Sequence, residues 1–289
     1  MATNQKFSTA RLVQVMRHDY VENRKFHLHT FIGAFLAFLG AYLLIMDTYD
    51  SPYYEQYSTL NNYTQLHADF FIGIYSIAML ASASMMMKHM HTKESRIAYL
   101  MLPASALEKF ISRTVYSTLW TTAILVLASL LAEAAHFVFM PFFDELPDKY
   151  RTCILPMVMM DIMELINPIR EYVYMEFDHG IEAIPLLPKS LMDFGIACWL
   201  HSLYILGGNW LGRYAFFKTT GIVLILSIVY SQSPFLMDAS GKYLDKIPWE
   251  TGCIAIACLT LSLTLLHWWL SYRLFVRRQA AEPKFRLPW

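Results

Sequence analysis

Charge is what this sequence has least of. Only 16% of its 289 residues are Asp, Glu, Lys or Arg, while 56% are apolar, and the mean hydropathy is +0.35. A soluble domain carries about 25% charged residues, so that class is excluded and a polytopic membrane protein is expected. The 23 basic and 23 acidic residues cancel, leaving no global basic field to recruit nucleic acid. Cysteine is scarce too. Cys153, Cys198, Cys253 and Cys258 form no CxxC pair, no haem-attachment motif and no zinc spacing, and read as apolar fillers. Glycine supplies no GxxxxGK[ST] phosphate loop, and HExxH and GxSxG are equally missing, so the chain shows no enzyme signature and no nucleotide-hydrolysing loop of its own. The opening stretch, MATNQKFSTARLVQVMRHDY, lacks the short apolar core and small-residue cleavage site of a removable signal peptide.

What is present is a series of long apolar runs. They cover about residues 28–46, 70–87, 114–140, 191–208, 214–230 and 251–275, and each is matched to a hydrocarbon core of ~30 Å at 1.5 Å per helical residue, with its flanks. The expected fold is therefore all-α, one membrane domain over 28–276 with six transmembrane helices. Residues 1–27 form an amphipathic arm, with Leu12, Val13, Met16 and Tyr20 on one face, and 277–289 form a tail. Residues 141–189 are an acidic outer segment, with a helix-like patch from Leu155 to Met175 broken at Pro168.

Orientation follows from the basic residues. Five lie in the arm, five from Lys88 to Arg113, two in the turn around Arg213 and Lys218, and five from Arg273 onward, which places 17 of the 23 on one side. Lys and Arg mark the cytoplasmic loops, so both termini are expected inside.

The connection between the second and third runs, residues 93–113, is basic and broken by proline. Ile97, Leu100 and Met101 recur at helical spacing. Leu102, preceding Pro103, is biased away from the helical region and predicts a corner. Pro103 suits a first helical position, and Ser105 followed by Glu108 has the spacing of a capping box, so a second helix starts there and continues into lipid.

Ionisable residues in spans are expensive and mark candidate sites. Asp69, Glu133 and Asp193 fall near the outer ends of their runs and are candidates for lining an outward vestibule, against simple solvation at the rim. His201, Asn209 and His267 lie deeper and suit interhelical hydrogen bonds. The run Met85, Met86, Met87, Lys88, His89, Met90, His91 offers soft copper ligands, but methionine at the end of a span is ordinary packing, and no metal site is expected.

This order of elements resembles the membrane subunit of type-2 ABC transporters, and the two most specific pieces, AYLMLPASALEKFISR (Ala98 to Arg113) and LGGNWLGRYAFFKT (Leu206 to Thr219), look like segments of a poorly characterised bacterial ABC permease-like group. The resemblance implies that 93–113 is a coupling segment that docks in a separate ATP-binding subunit. Arg96, Tyr99, Leu100, Leu102, Pro103, Ser105, Glu108 and Lys109 would form its neighbourhood, and the arm would be the interface helix. It implies a permease, an exporter working as a homodimer or with a close paralogue in the cytoplasmic membrane of a bacterium. No cofactor is expected in this chain, since ATP and Mg²⁺ would sit in the partner. The longest outer segment follows the third run rather than the fifth, which departs from the family's pattern and leaves the substrate open. Alternatives are a membrane anchor that tethers a cytoplasmic protein without transport, and a lipid-modifying membrane enzyme.

Overall fold

In lipid no water is available to backbone N–H and C=O groups, so a spanning segment has to satisfy them within itself, and the α-helix does so. The computed structural model describes residues 7–50, 59–88, 93–143, 148–156, 172–177, 180–212, 214–232 and 248–280. Their helices are α1 (Thr9–Tyr49), α2 (Leu60–Ser84), α3 (Lys93–Leu100), α4 (Ala106–Val115), α5 (Thr121–Phe139), α6 (Leu186–Leu211), α7 (Ala215–Ser231) and α8 (Trp249–Ala280). A π-helical turn, Tyr116–Trp120, joins α4 to α5. Among the described residues five helical segments are long and apolar enough to cross a membrane, namely Thr9–Tyr49, Leu60–Ser84, Ala106–Phe142, Leu187–Leu211 and Trp249–Arg277, and by length and composition the chain is a multi-pass membrane protein.

Four differences from the expected architecture have physical reasons. The arm and the first span form one uninterrupted helix of 41 residues, because neither proline nor glycine occurs between Thr9 and Ile32 to break it. The fifth apolar run forms α7, with 17 residues or ~25 Å of helix, less than the other five. The fold is all-helical apart from one short hairpin. Strands β1 (Tyr172–Phe177) and β2 (Gly180–Pro185) pair antiparallel, with Tyr172 opposite Pro185 and Phe177 opposite Gly180. Met175, expected at the end of a helical patch, lies in β1, where Tyr172, Val173, Tyr174 and Phe177 are strand formers; the rest of that patch, residues 157–171, lies outside the described residues. Finally, Pro103 stands two residues before the N-cap rather than at the first helical position, since the cap of α4 is Ser105.

The chain divides into two compact units. The unit of residues 20–79 and 118–167 is built around Phe38, Tyr42 and Met46 of α1, Tyr63 and Phe71 of α2 and Leu125 of α5, all buried. Ala34, Ala41, Ala68, Ala128 and Ala132 are buried among them, and such small side chains let apolar helices approach closely where lipid supplies no hydrophobic drive.

The unit of residues 1–19, 80–117 and 168–289 gathers Ala83, Met86, Met87, Tyr99, Phe110, Tyr204, Ile205 and Phe275. Met86 and Met87, which the sequence offered as soft ligands, are core packing here. His89, Met90 and His91 lie outside the described residues. Helix α6 ends at Gly212, whose φ of 65° is the left-handed conformation that stops a helix.

Gly208 of α6 faces the backbone of Ser84 so closely that a Cβ would overlap its carbonyl oxygen. Gly208→Ala is therefore expected to destabilise this packing by about 1–3 kcal/mol, read as a lower midpoint of thermal unfolding in detergent. Gly221→Ala, where a Cβ meets nothing within 4 Å, serves as the control and leaves the midpoint unchanged or slightly raised.

Candidate functional site

The connection after α2 is built as a helix, a corner and a capped helix. Glu108 N–H donates to Ser105 Oγ (3.2 Å) and Ser105 N–H to Glu108 Oε2 (2.8 Å), the reciprocal capping box the spacing predicts. The same carboxylate, fully buried, also accepts from Ser8 N–H (2.6 Å) and from both Nε (3.3 Å) and Nη2 (3.0 Å) of Arg11. Just over one turn on, Arg113 pairs with Asp19 at 2.9 Å, and Ser112 Oγ donates to Asp19 at 2.7 Å. Thus the start of the chain is fastened at two points to the helix that leads into the third span.

Those bonds divide the residues expected to meet a partner. Glu108, Lys109 and Tyr99 are buried and engaged within the chain. Lys109 Nζ donates to the Leu100 carbonyl (3.1 Å), Tyr99 OH donates to the Lys109 carbonyl (3.2 Å), and the Arg113 guanidinium lies over the Tyr99 ring at 4.6 Å. Leu100 and Leu102 are half-buried against the Met86–Phe275 cluster, and Ser105 is half-buried at its cap. Pro103 is exposed. Arg96 is on α3, with its side chain outside the described residues. The open apolar surface belongs instead to Ile97, Met101 and Leu107, which are 47, 79 and 41% exposed. Met101 N–H bonds to the Ile97 carbonyl, so these two stand one turn apart on one face. Helical spacing had singled out Ile97 and Met101, but not that they rather than Leu100 and Leu102 face outward.

The three carboxylates expected to line a vestibule differ in their surroundings. Asp193 pairs with Lys189 one turn away at 2.7 Å, in the unit containing α6, and Asp69 is exposed on α2. Glu133 of α5 is buried instead. The Tyr42 hydroxyl and the Ile154 N–H (2.7 Å) donate to its two oxygens. The Tyr42 ring in turn stacks on His136, centroids 4.6 Å apart and planes at 20°. His67 Nδ1 donates to the Tyr63 carbonyl at 2.9 Å, and its ring packs on Tyr63 and Tyr42. In the other unit, Ser202 bonds with His267 Nδ1 (3.1 Å) and Asn209 donates to the Ser271 carbonyl (3.4 Å), the interhelical bonds expected of His267 and Asn209. His201 Nε2 has no partner among the described residues, so the same expectation fails there. A cleft of about 620 Å³ opens between α6, α7 and α8, lined by Trp199, Leu203, Trp210, Leu226 and His267 and almost wholly apolar.

No protein-family model, curated protein or solved structure matches this chain. Its chemistry has to be argued from the arrangement itself.

Two consequences are measurable. Glu108→Ala removes the acceptor shared by Ser8, Arg11 and Ser105 and frees the arm, so trypsin is expected to cleave after Arg11 in the detergent-solubilised variant several-fold faster than in the parent protein. The second reads Glu133 through Cys153, an exposed residue after α5. Local burial of the thiol, its hydrogen bond to Glu133 and the carboxylate's negative charge push it up to about 11. The thiolate is the nucleophile, so at pH ~8 roughly a thousandth of the thiol is reactive. Glu133→Gln takes away the charge but not the burial and is expected to speed maleimide alkylation of Cys153 up to about tenfold at that pH, measured with Cys198, Cys253 and Cys258 replaced by serine.

Proposed function

We propose that this chain is the permease subunit of an ATP-driven transporter of the type-2 ABC kind, an exporter in the cytoplasmic membrane of a bacterium. It works there as a homodimer or with a close paralogue, and with a separate ATP-binding subunit that holds ATP and Mg²⁺. In this reading α7 is the sixth crossing. Its 17 residues are extended by flanking turns or accommodated by local thinning of the bilayer. Both termini face the cytoplasm, because 17 of 23 basic residues then lie inside.

The observation that carries the reading is the contrast within residues 93–113. The described charged groups of this connection, Glu108, Lys109 and Arg113, are spent on bonds to the chain itself, with Glu108 and Arg113 fastening it to the arm. Its apolar groups Ile97, Met101 and Leu107 are left open to a partner. An isolated loop on a charged inner surface gains nothing from exposed apolar side chains at helical spacing, whereas a helix laid in the groove of a soluble protein uses just such a face. Mechanically, a push on α3 reaches Lys109 through the Leu100 carbonyl and Tyr99, and α4 is continuous with the third span by way of the π-helical turn. A rigid-body tilt of these elements is the two-state change that ATP-driven closure of the soluble subunit would bias. The apolar cleft beside Trp199 and Trp210 suits a hydrophobic cargo.

The test is copurification in mild detergent with an ATP-binding protein whose hydrolysis the chain stimulates. Ile97→Asp combined with Met101→Asp should abolish that stimulation at least tenfold while leaving membrane insertion and unfolding midpoint intact. Leu100 and Leu102 are unsuitable for this purpose, since a carboxylate there would enter the Met86–Phe275 cluster. Binding without stimulation would indicate an anchor. Failure to bind any ATPase would overturn the reading.

A further inference from the structure

Glu133 is set apart from every other buried carboxylate described in the chain by what it lacks. Glu108 and Asp19 each meet an arginine. Glu133 forms no ion pair among the described residues; it has only the Tyr42 hydroxyl and the Ile154 N–H. A carboxylate in an apolar bundle without a cation is a costly arrangement, and proteins avoid it by pairing the charge or by neutralising it with a proton.

The surroundings contain proton acceptors whose hydrogen-bonding capacity is unused. His136 stands three residues from Glu133 on α5, so both project from the same side of the helix. It is fully buried, and neither of its ring nitrogens has a partner among the described residues. His67 is also fully buried. Its Nδ1 faces a carbonyl, which can only accept, so Nδ1 carries the hydrogen and the bare Nε2 has no partner among the described residues. The Tyr63 hydroxyl is a fourth such buried polar atom.

Tyr42 connects these groups, giving its hydroxyl to Glu133 while its ring lies flat on His136. The titratable groups that face the carboxylate are Tyr42 from α1, Tyr63 and His67 from α2, His136 from α5, and Cys153 from the segment after α5. Tyr49 and Tyr150 pack behind Tyr63. None of these is a lysine or arginine, so among the described residues nothing in the cluster supplies a fixed positive charge.

From this geometry we infer that Glu133, His136 and His67 form a buried binding site for one exchangeable proton. Protonated, the cluster is neutral overall. The added hydrogen lies either on the carboxyl or on one of the two imidazoles that pack on the Tyr42 ring. Released, it leaves one negative charge and returns the histidines to their neutral form. Cys153 marks the exit, because its thiol touches Glu133 while the residue itself is exposed. A metal ion fits the donor set less well, since the donor atoms of Glu133, His67 and His136 do not all lie within 4.8 Å of one another. The site does not depend on the transporter reading, and neither reading falls with the other.

The test uses the full chain in detergent, counting protons taken up between about pH 8 and about pH 5, the range in which histidine-linked sites exchange. Glu133→Gln is expected to take up about one proton fewer than the parent protein and to lose an infrared carboxylic-acid band that forms on acidification. Glu133→Asp should retain both. If Glu133→Gln fails to fold, Tyr42→Phe decides: it keeps the ring stack on His136 and removes only the hydroxyl, and the midpoint of the uptake should move by about one pH unit. Equal proton counts in the parent and Glu133→Gln, or an unmoved midpoint in Tyr42→Phe, would overturn the site.

Discussion

Four N–H groups converge on the carboxylate of Glu108, one from Ser8, two from Arg11 and one from Ser105, while its own N–H returns a bond to Ser105. Most capping boxes are local devices that start a helix and involve four residues of one segment. Here the same carboxylate also receives the start of the chain from about a hundred residues away, so helix initiation and tertiary attachment share one anion. Arg113 and Asp19 repeat the attachment just over one turn along α4. Between the two points the start of α1 and the whole of α4 are tied, and any force on α4 is felt by the arm. This is why Glu108, Lys109 and Arg113 are poor candidates for gripping a separate protein: their polar atoms are already committed.

A second constraint comes from lipid. The exposed residues of α7, among them Ile222, Leu224, Ile225, Leu226, Ile228 and Val229, would be a liability in water and are ordinary against acyl chains. Packing inside each unit therefore cannot rely on expelling water. It relies on closeness, visible in the alanines among the α1, α2 and α5 contacts and in Gly208 against Ser84. Polar side chains then supply what apolar ones cannot, as Tyr75 with Ser129 and Ser202 with His267 show.

How far all this was legible in the residues depends on the range of each interaction. The corner at Leu102-Pro103 and the cap at Ser105 and Glu108 rest on contacts within four residues, and both stood in the sequence. So did the long apolar helices, because hydrophobic runs need no partner to be recognised. The hairpin of Tyr172–Phe177 with Gly180–Pro185 was hidden among acidic residues that read only as an exterior segment. The pairings of Glu108 with Arg11 and of Asp19 with Arg113 join residues more than ninety positions apart, and no local pattern announces them. Burial was the hardest feature to foresee. Asp69, Glu133 and Asp193 all fall toward one end of an apolar run, yet only Glu133 is buried, because helix rotation is set by neighbours rather than by the residue's own segment.

The two buried polar centres differ in kind, and the difference bears on what each can contribute. Around Glu108 charge is matched by charge and each carboxylate oxygen accepts two N–H bonds, so any rearrangement must first break several charge-assisted bonds, each stronger than a neutral one. Such a centre holds geometry. Around Glu133 one carboxylate meets a hydroxyl and an N–H, beside two imidazoles that each carry a nitrogen without a partner among the described residues. Read as a proton site, such a centre changes state by gaining or losing one hydrogen. The first kind suits a rigid link that carries displacement, the second a site that responds to its surroundings. In this chain they lie in different compact units.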